Sequence, residues 1–93
     1  YNDFFARWAP SGHEILFLSD RHSHHPEFYI YDLEYDFVTR LSLPPIVHFP
    51  ISNGPAFLPT GDHFIYEEET EPNFVHLISV SMDDETNISL LFP

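Results

Sequence analysis

Apolar residues in this chain arrive in short bursts without helical spacing. Ile15, Leu16, Phe17 and Leu18 follow one another between Glu14 and Ser19, and Phe28, Tyr29, Ile30 and Tyr31 do so between Glu27 and Asp32. Side chains alternate between faces along a strand. Ile15 and Phe17 therefore share one face and Leu16 and Leu18 the other, while Phe28 and Ile30 oppose Tyr29 and Tyr31. A sheet with one face in water would alternate apolar with polar residues. Apolar residues on both faces predict sheets covered on both sides by other sheets, as in radially stacked blades. Helix loses to strand because β-branched and aromatic residues are dense and breakers recur about every 8–15 residues.

Four strands are expected over residues 4–9, 14–19, 27–33 and 38–43. Pro10, Ser11, Gly12 and His13 form the first turn, with Gly12 where φ can be positive. A polar loop at 20–26 and a turn at 34–37 make the other connections, and Pro44 and Pro45 then break the pattern. Four more strands are expected over 54–58, 63–68, 74–80 and 86–92, joined by a turn at 59–62, a loop at 69–73 and a turn at 81–85.

The second set repeats the first. Trp8 falls on Phe57, Pro10 on Pro59, Gly12 on Gly61 and Phe17 on Tyr66, each 49 positions apart. The third strand aligns after a two-residue deletion, which puts Val75 on Phe28 and Val80 on Leu33. A repeat of this length marks solenoids and propellers. The fold class is read as all-β: two four-stranded antiparallel propeller blades, residues 1–45 and 46–93, part of a larger or oligomeric β-propeller.

Composition fits this reading. Of 93 residues, 17% are aromatic and 9 are proline, which suits short strands, aromatic layers and turns. A chain of this size buries only about 60–65% of its unfolded surface, so its core is marginal. There is no lysine, and three arginines face 15 carboxylates for a net charge of -12. That argues against nucleic acid, which needs cations to displace phosphate counterions, and against anionic lipid. A basic partner would be steered in, or the acidity keeps a β-rich surface soluble. The seven histidines add positive charge below about pH 6. Cysteine is absent, which removes disulfides and thiol chemistry. No run approaches the roughly 18 apolar residues of a membrane helix. No signal pattern precedes the first strand, so the chain reads as a mature or excised segment.

Candidate chemistry is sparse. His22, His24 and His25 form the one cluster with metal-ligand character, but no carboxylate or thiol stands at zinc-site spacing and the loop is read as solvated. Asp20 and Arg21 are adjacent charges that need not pair with each other. Glu67, Glu68, Glu69 and Glu71 could offer oxygens to calcium, yet the Asp-x-Asp-x-Asp-Gly loop is missing, and they read as an acidic rim. Asp83, Asp84 and Glu85 read as a charged turn. Asn87, Ile88 and Ser89 spell a glycosylation sequon inside an expected strand and are discounted. No Gly-x-Ser-x-Gly elbow occurs. No residue is assigned a catalytic, cofactor-binding or metal-ligating role, and the chain is read as no enzyme.

The repeat residues carry a resemblance. Trp8, Ala9, Pro10, Ser11 and Gly12 lead to Ile15, Leu16, Phe17, Leu18, Ser19, Asp20 and Arg21. Phe28, Tyr29, Ile30, Tyr31, Asp32 and Leu33 follow, then Arg40, Leu41 and Ser42. This resembles the TolB-like, or PD40, family of β-propeller repeats. The second repeat keeps the segment from Pro55 to Gly61 but has Glu68, Glu69 and Thr70 where the family has Ser-Asp-Arg. Ser11 and Thr60 stand where the family usually has Asp. The resemblance implies a structural role for Asp20 and Arg21, a burial of Trp8 between blades, and a scaffold rather than a reaction. Similar propellers dock other proteins in the periplasm or gate prolyl-oligopeptidase-type serine peptidases whose catalytic domain lies elsewhere. A periplasmic or extracytoplasmic place follows from the resemblance alone. A small sugar- or metal-binding propeller, with an exposed aromatic such as Tyr35 serving a carbohydrate, is a third reading.

Propellers close with roughly 4–8 blades. Two blades are therefore expected to need company. Either neighbouring blades of a larger protein or further copies in a homo-oligomer would cover the outer faces.

Overall fold

The computed structural model describes residues 1–22, 25–41, 43, 54–71, 74–83 and 88–92, with the side chains of 69–71, 74, 75 and 88–92 left aside. Eight strands run in order: β1 (Asp3–Trp8), β2 (Glu14–Ser19), β3 (Glu27–Asp32), β4 (Phe37–Arg40), β5 (Ala56–Phe57), β6 (His63–Glu71), β7 (Phe74–Ser81) and β8 (Ile88–Phe92). They form two four-stranded meanders, β1-β2-β3-β4 and β5-β6-β7-β8, antiparallel throughout. No helix occurs among the described residues. The all-β, two-sheet reading is what the structure shows. Pro44, Pro45 and the division between residues 45 and 46 lie outside the described residues.

The β2 strand has the bounds its apolar run announces. Others differ. The β4 strand stops at Arg40, yet Leu41 and Leu43 are buried, and the Leu41 N–H still donates to the Phe28 carbonyl at 2.9 Å. The β6 strand runs through the acidic stretch expected to be loop, pairing as far as Glu71 with Phe74. Backbone pairing in a ladder does not require apolar side chains, so the charged residues need not end the strand.

Register corrects the alignment of the third strands. Phe17 stands opposite Tyr29, and 49 residues on, Tyr66 stands opposite Ile78. The same offset therefore holds through β7, with no two-residue deletion. Tyr31 corresponds to Val80 and Phe28 to Leu77. Sequence similarity misplaced this strand because its ends are dissimilar; the hydrogen-bond ladder is not ambiguous in that way.

Cross-strand partners share a face. Leu16, Leu18, Phe28 and Ile30 thus form one side of the first sheet, and Phe64, Tyr66, Ile78 and Val80 one side of the second. The two sides pack together as one core that also takes Leu41 and Leu43. Phe28 is the wedge, with its ring centre 5.1 Å from Phe64 and 4.8 Å from Tyr66.

A bulge in β1 decides which way its far end faces. Phe4 is opposite Leu18 but Arg7 is opposite Leu16, so one extra residue lies between them. Phe5 takes φ of 57°, left-handed backbone that a bulky residue rarely adopts. The extra residue reverses the alternation. Phe4 lies on the core side, whereas Trp8, opposite Ile15, lies on the outer side and is 61% exposed. The expectation that Trp8 is buried between the blades is therefore wrong for this structure. Its counterpart Phe57 is half-buried beside Phe64.

Gly54 makes the bulge possible. Its φ is +71°, and a Cβ there would come within 2.8 Å of the Phe5 ring. Gly54→Ala should cost roughly 1–3 kcal/mol, from backbone strain and the displaced ring together. Urea denaturation checks this; an unchanged midpoint would mean that Phe5 moves freely.

Candidate functional site

The outer face of the first sheet gathers most of the chain's positive charge. Ser19, Phe17 and Ile15 of β2 stand opposite Glu27, Tyr29 and Tyr31 of β3, which in turn lie beside Arg40 and Val38 of β4. Phe17 and Tyr29 stack with ring centres 5.6 Å apart. Both are buried although, among the described residues, no second sheet covers them.

Arg21 is the cover. Its guanidinium lies 4.8 Å from the Tyr1 ring centre, 5.2 Å from Phe17 and 5.1 Å from Tyr29. Cation–π attraction of this kind is worth about 0.5–2 kcal/mol. One Nη2 donates to both oxygens of Asp3 at 2.9 Å, and Nε donates to the Ser19 hydroxyl at 3.1 Å. Asp3 can reach because it pairs with Ser19 across β1 and β2. The fully buried Ser19 hydroxyl, bonded to Asp3, is the largest influence holding its carboxyl below the usual carboxylate range; burial opposes this, and Arg21 lowers it further through its hydrogen bond and charge.

Asp20 and Arg21 do not pair with each other. Asp20 instead accepts from the Asn2 N–H at 2.7 Å, so the dipeptide ties the loop to two successive residues of the N-terminal segment. This is the structural role the resemblance implies.

A second cation completes the face. Arg40 donates through Nη1 to Glu27 at 2.9 Å; Glu27 is buried and Arg40 half-exposed. Tyr1, Arg21, His22, Tyr29, Val38 and Arg40 line an open cleft of about 510 Å³. Below it, Tyr31 donates to Asp36 at 2.6 Å, which raises the phenol's pKa. Trp8 and Val38 extend the exposed apolar surface.

The far face of the second sheet is different. Ile65 stands opposite Ser79, Glu67 opposite Leu77 and His63 opposite Ser81. This is an alternating surface, so apolar residues on both faces are a property of the first sheet only. The reason is compositional: Glu67 and Ser79 occupy the positions of Leu18 and Ile30, each 49 residues on.

Other candidates stay apart. His22 and His25 are exposed, and Ser23 and His24 lie outside the described residues. Among the described residues no group of three or more possible ligands converges on a metal position. Glu67 and Glu68 are half-buried in β6, and Asp83 is exposed, while Asp84, Glu85 and Asn87 lie outside the described residues. Tyr35 is 72% exposed in the turn after β3. No helix among the described residues is long and apolar enough to cross a membrane.

Sequence reasoning missed Tyr1, Asp3, Glu27, Val38 and Arg40 as members of one face. For Arg40 a signal existed, because folding β3 onto β4 about the 34–37 turn sets it beside Tyr29. For Asp3 none did, because its register depends on the bulge.

No family model matches the sequence, and no curated protein matches it. Among solved structures, the crystal structure of TolB from Acinetobacter baumannii, a β-propeller, is similar, with a TM-score of 0.70 at 20% identity. The likeness covers 100% of this chain and 22% of that one. The chain therefore has the fold of a β-propeller segment and spans about a fifth of the length of that relative.

Proposed function

We propose that the chain is a pair of PD40-type blades, residues 1–45 and 46–93, of a TolB-like propeller that acts as a non-catalytic protein-interaction scaffold. The observation that carries this reading is an asymmetry between equivalent faces. On the second sheet Phe64, Tyr66, Ile78 and Val80 are buried against the first sheet. Their counterparts on the first sheet are Ile15, Phe17, Tyr29 and Tyr31, a face that no sheet covers among the described residues. Arg21 shields part of it, and Trp8, Val38 and the arginine cleft remain open. A contiguous surface of this kind marks an interaction site.

The partner is a protein sheet edge or face, supplied by further blades of a longer chain or by other copies. The net charge of -12 opposes self-association, most strongly at low salt. In moderate salt the 93-residue chain should therefore run above monomer mass at micromolar concentration in size exclusion with light scattering. Val38→Glu, on the exposed face, should return it to monomer mass. A cooperatively folded monomer at all concentrations would overturn the reading.

A further inference from the structure

We infer that the occupant of the first sheet's outer face is the far face of the second sheet from another copy, docked head to tail, with Glu67 meeting Arg21 and Leu77 seated on Ile15. The inference rests on the scaffold reading and gives it a partner and a register.

The chain contains the template for this contact. Its two sheets pack through Phe28 against Phe64. Moving both partners by the 49-residue repeat turns that contact into Leu77 against Ile15. Both are half-buried, neither being part of the core between the sheets. The same shift carries Leu18, fully buried between the sheets, to Glu67. Arg7 lines the same cavity as Glu67 and Leu77, and a further cation from the docked surface would compensate the hydration this carboxylate loses on burial.

The receiving face supplies the cation. Phe17 is the counterpart of Tyr66, and over Phe17 lies the guanidinium of Arg21. Asp3 and Ser19 engage its Nη2 and Nε, and Nη1 serves neither. Arg40 stands on the same cleft. Thus the one blade position where leucine has become glutamate is matched, on the opposite surface, by the arginine that covers the stack. Two of the three arginines in a chain of charge -12 lie there. Opposite charges at matched positions fix register and steer encounter.

The contact uses different surfaces of the two copies, so it is heterologous and either closes a ring or continues as an open filament. Three copies would supply six blades and four would supply eight, within the usual range of roughly 4–8.

A complementation experiment tests this on the full chain. Val38→Glu blocks the receiving face, and Leu77→Glu blocks the donating face. Each variant alone should run as a monomer in light scattering, with an unchanged far-UV spectrum. Their equimolar mixture should form a two-chain species, because each retains the face the other lacks. Glu67→Arg should weaken association of the otherwise native chain about tenfold or more. A mixture that stays monomeric, or assembly indifferent to Leu77→Glu and Glu67→Arg while Val38→Glu abolishes it, overturns the head-to-tail register and leaves the scaffold reading standing. A native chain that folds cooperatively and stays monomeric at all concentrations overturns both. If Leu77→Glu does not fold, Glu67→Arg takes its place: alone it should associate about tenfold more weakly than the native chain, and mixed with Val38→Glu it should still form the two-chain species; a mixture that stays monomeric overturns the register.

Discussion

Phe28→Ala should be among the most damaging single substitutions in this chain, lowering its stability by about 3–5 kcal/mol. Phe28 is 1% exposed and touches rings of the opposite sheet on two sides. Truncation removes its transfer free energy, the two aromatic contacts and the filler of a space that rigid sheets cannot close. A domain this small has roughly 5–15 kcal/mol in total, so the loss is a large share. It also removes the wedge that makes two sheets one cooperative unit. The urea transition should therefore move to lower midpoint and broaden. Phe28→Leu keeps most of the volume and should cost roughly 1–2 kcal/mol. Trp8→Ala provides the contrast. Trp8 is mostly exposed in the monomer, and its loss should cost the isolated chain no more than about 1 kcal/mol. Equal midpoint shifts for Phe28→Ala and Trp8→Ala would sink this assignment of the core.

The contrast between those two aromatics shows what the sequence could convey. Strand existence was legible because apolar runs bounded by turns leave few alternatives. Glu14–Ser19 has the bounds its pattern announces, and Gly12 has the positive φ its turn required. Facing was legible wherever alternation ran unbroken, as for Leu16 and Leu18 against Phe28 and Ile30. It failed at Trp8 because a single bulge at Phe5 reverses the alternation, and nothing in the residues Phe4, Phe5 and Ala6 announces an extra position. The bulge depends on Gly54, about fifty residues away, whose missing side chain makes room for the Phe5 ring. Long-range accommodation of this sort leaves no local signal.

The candidate face was legible in parts and not as a whole. Asp20 and Arg21 stood out as a pair, but their partners Asn2 and Asp3 lie 18 residues earlier and are selected by strand register. Glu67 read as part of an acidic rim. Its meaning changes once the repeat offset places it at the position of Leu18, since a carboxylate where a blade carries a buried leucine points to a basic partner. The offset was visible in the sequence. Its continuation through the third strands was hidden by unlike residues and emerges from the hydrogen-bonded pairs.

Alkaline pH should unfold the chain through Tyr66. Burial, and secondarily the charge of Glu68, pushes its phenol from 10.0 up to about 12. Below pH 10 both folded and unfolded chains keep the proton, and stability is indifferent to this group. Between pH 10 and 12 the unfolded chain releases the proton while the folded chain holds it, so the equilibrium shifts toward unfolding. Two units of difference correspond to about 3 kcal/mol, lost progressively across that window. Tyr29, raised by burial, and Tyr31, raised by its hydrogen bond to Asp36, act in the same direction. Urea midpoints measured from pH 8 to pH 11.5 should therefore be flat at first and then fall steeply. Tyr66→Phe should match the native chain within about 1 kcal/mol at pH 8 and show a shallower alkaline fall, because its share of the released protons is gone. Tyrosinate absorbance of the folded chain should show one phenol titrating well after the others. If Tyr66→Phe and the native chain lose stability in parallel above pH 10, Tyr66 is solvated in solution, and the core between the two sheets is looser than its rings imply.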